Sequence, residues 1–307
     1  MSKLTVLFIF SILSLGINAQ KMSFIELENA GNQFIARGDY DRAIESFSEL
    51  IEKTSRLGKV PNHQTPIDSK NALTTDDNIR VIDPRTAHGL LGRGRAFLGK
   101  NDRQSAFSDF DRAIRISPAF PEAYFFRGYA YIDEKNYEAA ESDFDRYLKL
   151  QPKRFEAYIA RGVARIGANK TKSGFDDLDQ AVKMAPQSAM PYLYRGEAFL
   201  KIDRDAEALA DFERAILLDS KRPEPLLGRG IIRLKKEAFR EAVDDFSRAL
   251  ALDSHSKVGY ANRCVALLAL GKKEAAMADL ELLRELDPDA AQVIDDQLRG
   301  TNVAKVN

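Results

Sequence analysis

The chain has 307 residues, 44% hydrophobic and 30% charged, with 46 basic residues balanced by 46 acidic ones. That balance excludes recruitment of nucleic acid or an anionic membrane by net charge. A single cysteine excludes an internal disulfide and a cysteine-based zinc site.

Residues 1–19 stand apart. Lys3 supplies a short basic start, Leu4 to Ile17 is an apolar run, and Ile17-Asn18-Ala19 offers small-residue cleavage before Gln20. This is the pattern of a secretory signal peptide, and the run is too short to span a bilayer comfortably. An uncleaved anchor is the alternative. The cleaved chain is expected to work outside the cytosol without stable membrane insertion.

Residues 24–57 form one helical-hairpin unit, with Gly31, Ala43 and Phe47 at its small, small and aromatic positions. Residues 58–86 then interrupt the pattern with prolines, asparagines and the Thr74-Thr75-Asp76-Asp77-Asn78 run. Two readings of this polar insertion stand, a mobile loop between stacked units and a functional loop. Asp83-Pro84 is a helix-start signal.

From residue 87 to residue 290 the sequence repeats every 34 residues in six contiguous units that start at Ala87, Pro121, Phe155, Ala189, Pro223 and Lys257. Column 8 reads Gly94, Gly128, Gly162, Gly196, Gly230 and Cys264; column 20 is alanine or glycine; column 24 is Phe110, Phe144, Leu178, Phe212, Phe246 and Leu280. Such a period denotes a repeat architecture. Large residues in column 4 precede column 8 by one turn, which makes one helical face, and columns 20, 24 and 27 make a second. Small residues let the two backbones approach, and proline in column 32 (Pro118, Pro152, Pro186, Pro288) is expected to stop the second helix. Residues 291–307 supply a capping helix and tail, with Ala291, Ile294 and Leu298 on its apolar face and Gly300 as its expected stop. Cys264, in the small column, reads as a buried structural thiol.

This pattern resembles the tetratricopeptide repeat family. The resemblance implies an all-α solenoid, a right-handed superhelix of helix–turn–helix units, that serves as a protein-binding scaffold rather than an enzyme. It is specific for fold and weak for function. Residue chemistry agrees. His63, His88 and His255 are scattered without metal-ligand spacing, and no nucleophile motif or phosphate-cradling glycine loop is present. No catalytic residue, cofactor, metal, nucleic acid or small-molecule substrate is therefore expected.

One charged pattern runs through all six contiguous units. Column 7 is Arg93, Arg127, Arg161, Arg195, Arg229 and Arg263; column 23 is Asp109, Asp143, Asp177, Asp211, Asp245 and Asp279. The first unit lacks both, with Ala30 and Ser46 in those columns. Charges that appear and vanish together indicate structural ion pairs, with arginines that bind a ligand as the competing reading. Arginines in column 26, such as Arg112 and Arg146, compete for the same aspartates.

In the family, columns 2, 5, 9, 12 and 13 line a concave groove. Here that implies Arg95, Glu122, Phe125, Tyr129, Glu156, Ile159 and Val163, a mixed surface suited to a protein or peptide partner. The family's clamp for C-terminal carboxylates is ruled out. Asn32 fits it, but Glu28 stands where lysine is required and Gly92 replaces an asparagine. The expectation is an exported scaffold or assembly factor of a bacterial periplasm or exterior. A lumenal co-chaperone, supported by the Asn169-Lys170-Thr171 sequon, and a non-catalytic enzyme subunit are the alternatives.

Overall fold

Apolar stripes at helical spacing pair every helix with a neighbour. The computed structural model describes residues 23–57, 72–75, 78–81 and 83–303. The first hairpin joins α1 (Phe24–Ala36) to α2 (Tyr40–Leu57). The six period units follow as α3 (Arg85–Gly99) with α4 (Arg103–Ile116), α5 (Pro121–Asp133) with α6 (Tyr137–Leu150), and α7 (Phe155–Gly167) with α8 (Thr171–Met184). Then come α9 (Ala189–Lys201) with α10 (Asp205–Leu218), α11 (Glu224–Lys235) with α12 (Phe239–Leu252), and α13 (Lys257–Ala269) with α14 (Lys273–Leu286). The last helix is α15 (Pro288–Val303).

In the five hairpins with phenylalanine in column 24, the column 8 glycine lies beneath that ring. A Cβ on Gly230 would sit 2.6 Å from Phe246 Cε1, so alanine there would have to displace the ring. In the hairpin of Leu178, where columns 8 and 20 are both glycine, the backbones themselves close up, and a Cβ on Gly162 would sit 2.9 Å from the Gly174 carbonyl oxygen.

The turn between paired helices is set by backbone conformation more than by capping. Column 15 takes positive φ in each period unit, at Asn101, Lys135, Asn169, Asp203, Glu237 and Gly271, and Gly38 does so in the first hairpin. Only Asp102 and Asn136 among the residues preceding the six second helices accept a capping bond from the backbone. The column 32 prolines are not needed as stops. α10 and α12 end in the same column as the others, with Ser220 and Ser254 where proline is absent.

The chain divides into two compact units, one ending at Pro152 and the other starting at Lys153. Within each, the second helix of one hairpin packs on the first helix of the next, and consecutive first helices touch. The first hairpin is not isolated in space, because α2 packs directly on α3 despite the insertion between them. Leu27, Ala43, Phe47, Leu50 and Ala96 share one core cluster, and Thr86 Oγ1 donates to Thr54 Oγ1 at 2.8 Å inside the contact. The insertion is more than loop. β1 (Ala72–Thr75) pairs antiparallel with β2 (Asn78–Val81), Ala72 opposite Val81, a run in which threonine, isoleucine and valine favour a strand. Residues 58–71 and 1–19 lie outside the described residues, so the signal-peptide expectation does too.

The α15 helix covers the last hairpin. Ala291 and Ile294 are buried with Leu280 and Leu283, and Asp287 accepts from the Ala290 amide at 3.1 Å. Gly300 does not stop this helix, which continues to Val303. One glycine costs a helix about 1 kcal/mol relative to alanine, less than is needed to end it.

Candidate functional site

Each column 7 arginine meets the column 23 aspartate of its own hairpin in a two-pronged contact. In α9 and α10, Arg195 Nε and Nη2 each donate to Asp211 at 2.8 Å. The same fork joins Arg93 to Asp109, Arg127 to Asp143, Arg161 to Asp177, Arg229 to Asp245 and Arg263 to Asp279. All six aspartates are buried, none more than 5% exposed. Planar, bidentate geometry is what makes arginine the fitting cation here.

The remaining guanidinium nitrogen reaches back to column 25 of the preceding hairpin. Arg127 Nη1 donates to Asp111 at 2.6 Å, Arg195 Nη1 to Asp179 at 2.7 Å, Arg93 Nη1 to Ser48 Oγ at 3.2 Å and Arg263 Nη1 to Ser247 Oγ at 3.1 Å. The hydrogen bonds it donates to Asp211, and then to Asp179, hold the Arg195 guanidinium well above its ordinary range. Each such arginine therefore fixes helix register inside its hairpin and ties that hairpin to the one before. Of the column 26 arginines, Arg112 reaches Asp109 only at 3.9 Å, farther than the 2.7 Å of Arg93. Column 11 supplies the second contact instead: Arg165 donates to Asp177 and Arg233 to Asp245, at 2.8 and 2.7 Å. Elsewhere that column places Phe97, Tyr131 and Phe199 beside the guanidinium. Column 4 tyrosines add a third tie, Tyr124 Oη to the Pro118 carbonyl and Tyr192 Oη to that of Pro186.

A family model described as tetratricopeptide repeat matches residues 91–155 and 159–225. The hairpins within those residues are tetratricopeptide repeats. Their fold is similar to that of yeast Tom70, with TM-score 0.60 and 17% identity over 96% of this chain and 66% of that one. It is also similar to a chain of the APC/C hetero-tetramer Cut9-Hcn1, with TM-score 0.59 and 15% identity over 91% and 57%. PilW, a type IV pilus biogenesis factor, gives TM-score 0.58 and 16% identity over 68% and 97%. The chain spans less than two thirds of the length of the first two. No curated protein matches it.

The first helices of the tetratricopeptide hairpins carry the groove columns, and the structure divides the seven residues expected there. Tyr129 is 37% exposed, yet its ring lies 4.9 Å from Phe125 and 5.5 Å from Phe144, edge to face. Column 9 thus shares in packing more than its variability indicates. Phe125 is half-buried against Tyr147 as well. Glu122, Glu156 and Val163 are partly accessible, and one Glu156 carboxylate oxygen is buried without a hydrogen bond. Ile159 is a correction. At 2% exposure it belongs to the core with Ile166 and Leu178, because column 5 faces the neighbouring helix. Arg95 is also committed, donating to Asn32 at 3.2 Å and lying 4.6 Å above the Phe126 ring. Glu122, Phe125, Tyr129 and Arg95 fall in the compact unit that ends at Pro152, and Glu156, Ile159 and Val163 in the other.

Further along, Glu197 in column 9 is solvent-exposed but crowded by protein. That crowding, and then the charge of Glu224, push its carboxyl up to about 7. Nothing in the sequence of an acidic column 9 residue marks this one as perturbed; its partner two columns into the next hairpin does. The Cys264 thiol is buried and pushed up to about 11, the behaviour of a packing residue. Among the described residues there is no group of three or more histidine, cysteine, aspartate or glutamate side chains able to hold a metal ion. No helix among them is long and apolar enough to cross a membrane.

Proposed function

We propose that this chain is a non-enzymatic scaffold that holds a protein segment along the face of its first helices. The observation that carries this reading is the exposure pattern of adjacent columns. Column 8 is buried in every hairpin, whereas column 9 presents Tyr129, Glu197 and Val265 to solvent. Alternation of that kind offers unlike side chains from one hairpin to the next within each compact unit, which suits recognition of a specific segment. Tyr129 is the anchor, a 37% exposed aromatic ring packed edge to face on Phe125 and Phe144. The arginine ladder is excluded from this role because its guanidinium groups are already spent on aspartates.

The compartment belongs to the same proposal. The basic start, apolar run and small-residue site of residues 1–19 support export, with a bacterial periplasm or exterior as the place of work. PilW, a pilus biogenesis factor on a similar fold, is compatible with an assembly role, although likeness at 16% identity carries the fold alone. One observation favours a lumenal setting instead: Asn169 of the sequon sits exposed at the tip of a hairpin turn.

Site-specific photocrosslinking in the native host tests the reading. A benzoylphenylalanine at position 129 or 163 is expected to trap a discrete partner band, and one at position 217, where Leu217 is 74% exposed, is not. Trapping at 217 with none at 129 or 163 moves recognition off the first-helix face. Retention of the same partner in a cytosolic fraction would contradict export.

A further inference from the structure

Between Lys153 and the C-terminus, the first helices present a face that alternates in character from one hairpin to the next. Column 9 of one hairpin stands beside column 2 of its successor. Val163 of α7 and Met190 of α9 pack against a single apolar cluster. One step on, the same two positions are Glu197 of α9 and Glu224 of α11, both exposed and on first helices that touch. The next step is apolar again, with Ile231 of α11 partly accessible and Val258 of α13 at 49% exposure. The order is apolar, acidic, apolar.

The acidic step lacks a counter-charge. Among the described residues no cation pairs with Glu197 or Glu224. Arg222, which acts on the same cluster, already donates to Asp219 at 3.1 Å. The Tyr194 hydroxyl beside them is pushed up by burial and by both carboxylates. Two neighbouring exposed carboxylates, flanked by partly accessible aliphatic side chains, ask for a cation carried on an apolar segment.

Spacing narrows the shape of that segment. Packed helices lie about 8–10 Å apart, and these first helices touch in succession. A polyproline-type chain rises about 3.1 Å per residue with three residues per turn, so every third side chain falls on one side about 9 Å apart.

We propose that α7, α9, α11 and α13 dock an extended partner segment bearing apolar, basic and apolar side chains at every third residue, with the basic group between Glu197 and Glu224. This rests on the first-helix face being the binding face. Affinity then comes from the two apolar steps and selectivity from the middle one. A partner with an acidic residue in the centre is rejected by like charge.

The probes are three fluorescein-labelled heptapeptides, leucine-proline-proline-X-proline-proline-leucine, with X as lysine, norleucine or glutamate, measured by anisotropy against the full chain. Binding is expected in the order lysine, norleucine, glutamate, with lysine about five- to tenfold tighter than norleucine. The double variant Glu197→Gln/Glu224→Gln should bring the lysine peptide to the norleucine level, and Ile231→Asp should weaken all three. Each variant is first checked for native helicity and an unchanged thermal midpoint within a few degrees. Equal binding of lysine and norleucine peptides, both weakened by Ile231→Asp, overturns the basic preference and leaves the face as the site. A lysine preference that survives in the double variant overturns it too. Failure of every peptide to bind, or binding untouched by Ile231→Asp, removes the first-helix face itself.

Discussion

The first hairpin and the period hairpins share a core but not a ladder. In both, a column 8 glycine lies under a column 24 phenylalanine, Gly31 beneath Phe47 and Gly128 beneath Phe144. Yet the first hairpin has Ala30 and Ser46 where the others have arginine and aspartate. It folds as a hairpin all the same, and it joins its neighbour through Thr54, Thr86 and the Ser48 hydroxyl that accepts from Arg93. Apolar packing therefore suffices to form a hairpin. What the ion pairs add is a fixed register and, at Arg93, Arg127, Arg195 and Arg263, a tie to the preceding hairpin, at the cost of six buried carboxylates that tolerate no loss of partner.

The largest expected effect comes from making one period hairpin half like the first. Arg195→Ala leaves Asp211 buried and uncompensated and frees Asp179. Urea denaturation should show a loss on the order of 3–5 kcal/mol. A loss below about 1 kcal/mol would mean the fork is ornamental and that the two kinds of hairpin are held alike.

Next is the far end of the array, where α15 stands in for a further hairpin. Deleting residues 288–307 uncovers Leu283 and the buried side of α14, which should cost about 2–3 kcal/mol. Hydrogen exchange ought to locate the lost protection in α13 and α14. Unchanged protection there would show that α15 does not cap the array.

A smaller effect sharpens the comparison at the turns. The first and last hairpins carry Gly38 and Gly271 in column 15, whereas five between them hold non-glycine residues at positive φ. Lys135→Gly should raise stability by about 0.5–1 kcal/mol, since the strain removed exceeds the added chain entropy. A decrease in the melting midpoint would refute the strain.

The smallest effect is electrostatic. The folded-state value of Glu197 lies above its ordinary 4.5, at about 7, so the folded chain holds that proton more tightly. Stability attributable to this group should fall as pH rises from 4.5 towards 7. Glu224, Tyr194 and Arg222 face it. Glu197→Gln should accordingly stabilise the chain at pH 8 by less than about 1 kcal/mol, solvent screening reducing the effect, and by nothing at pH 4. Equal effects at both pH values would assign the change to packing.

The periodic residues made most of this legible before any coordinates. Columns 8, 20 and 24 specify the hairpin because a glycine, a small residue and a ring must coincide in space. The joint presence and absence of columns 7 and 23 revealed the pairs. Column 25 went unread because its residues differ by name, Ser48, Asp111, Asp179 and Ser247, while sharing only an oxygen acceptor. Column 15 escaped for a related reason: asparagine, lysine, aspartate and glutamate share a backbone conformation, which leaves no common side chain. The sequence alone places Ile159 in the groove because an apolar residue on a first helix can face either a ligand or the next hairpin, and only packing decides. The strand pair at 72–81 lies in a segment whose polar composition concealed its β-branched residues.

The central claim is that the arginine ladder is structural and conditional, needed only because its aspartates are buried. A double-mutant cycle on Arg195→Ala, Asp211→Ser and their combination, which recreates the alanine and serine of the first hairpin, tests it by urea denaturation of the full chain. The account predicts that the combined variant is more stable than Arg195→Ala alone, with a coupling of about 2 kcal/mol or more. Strictly additive losses, with the combined variant the least stable of the three, would contradict it.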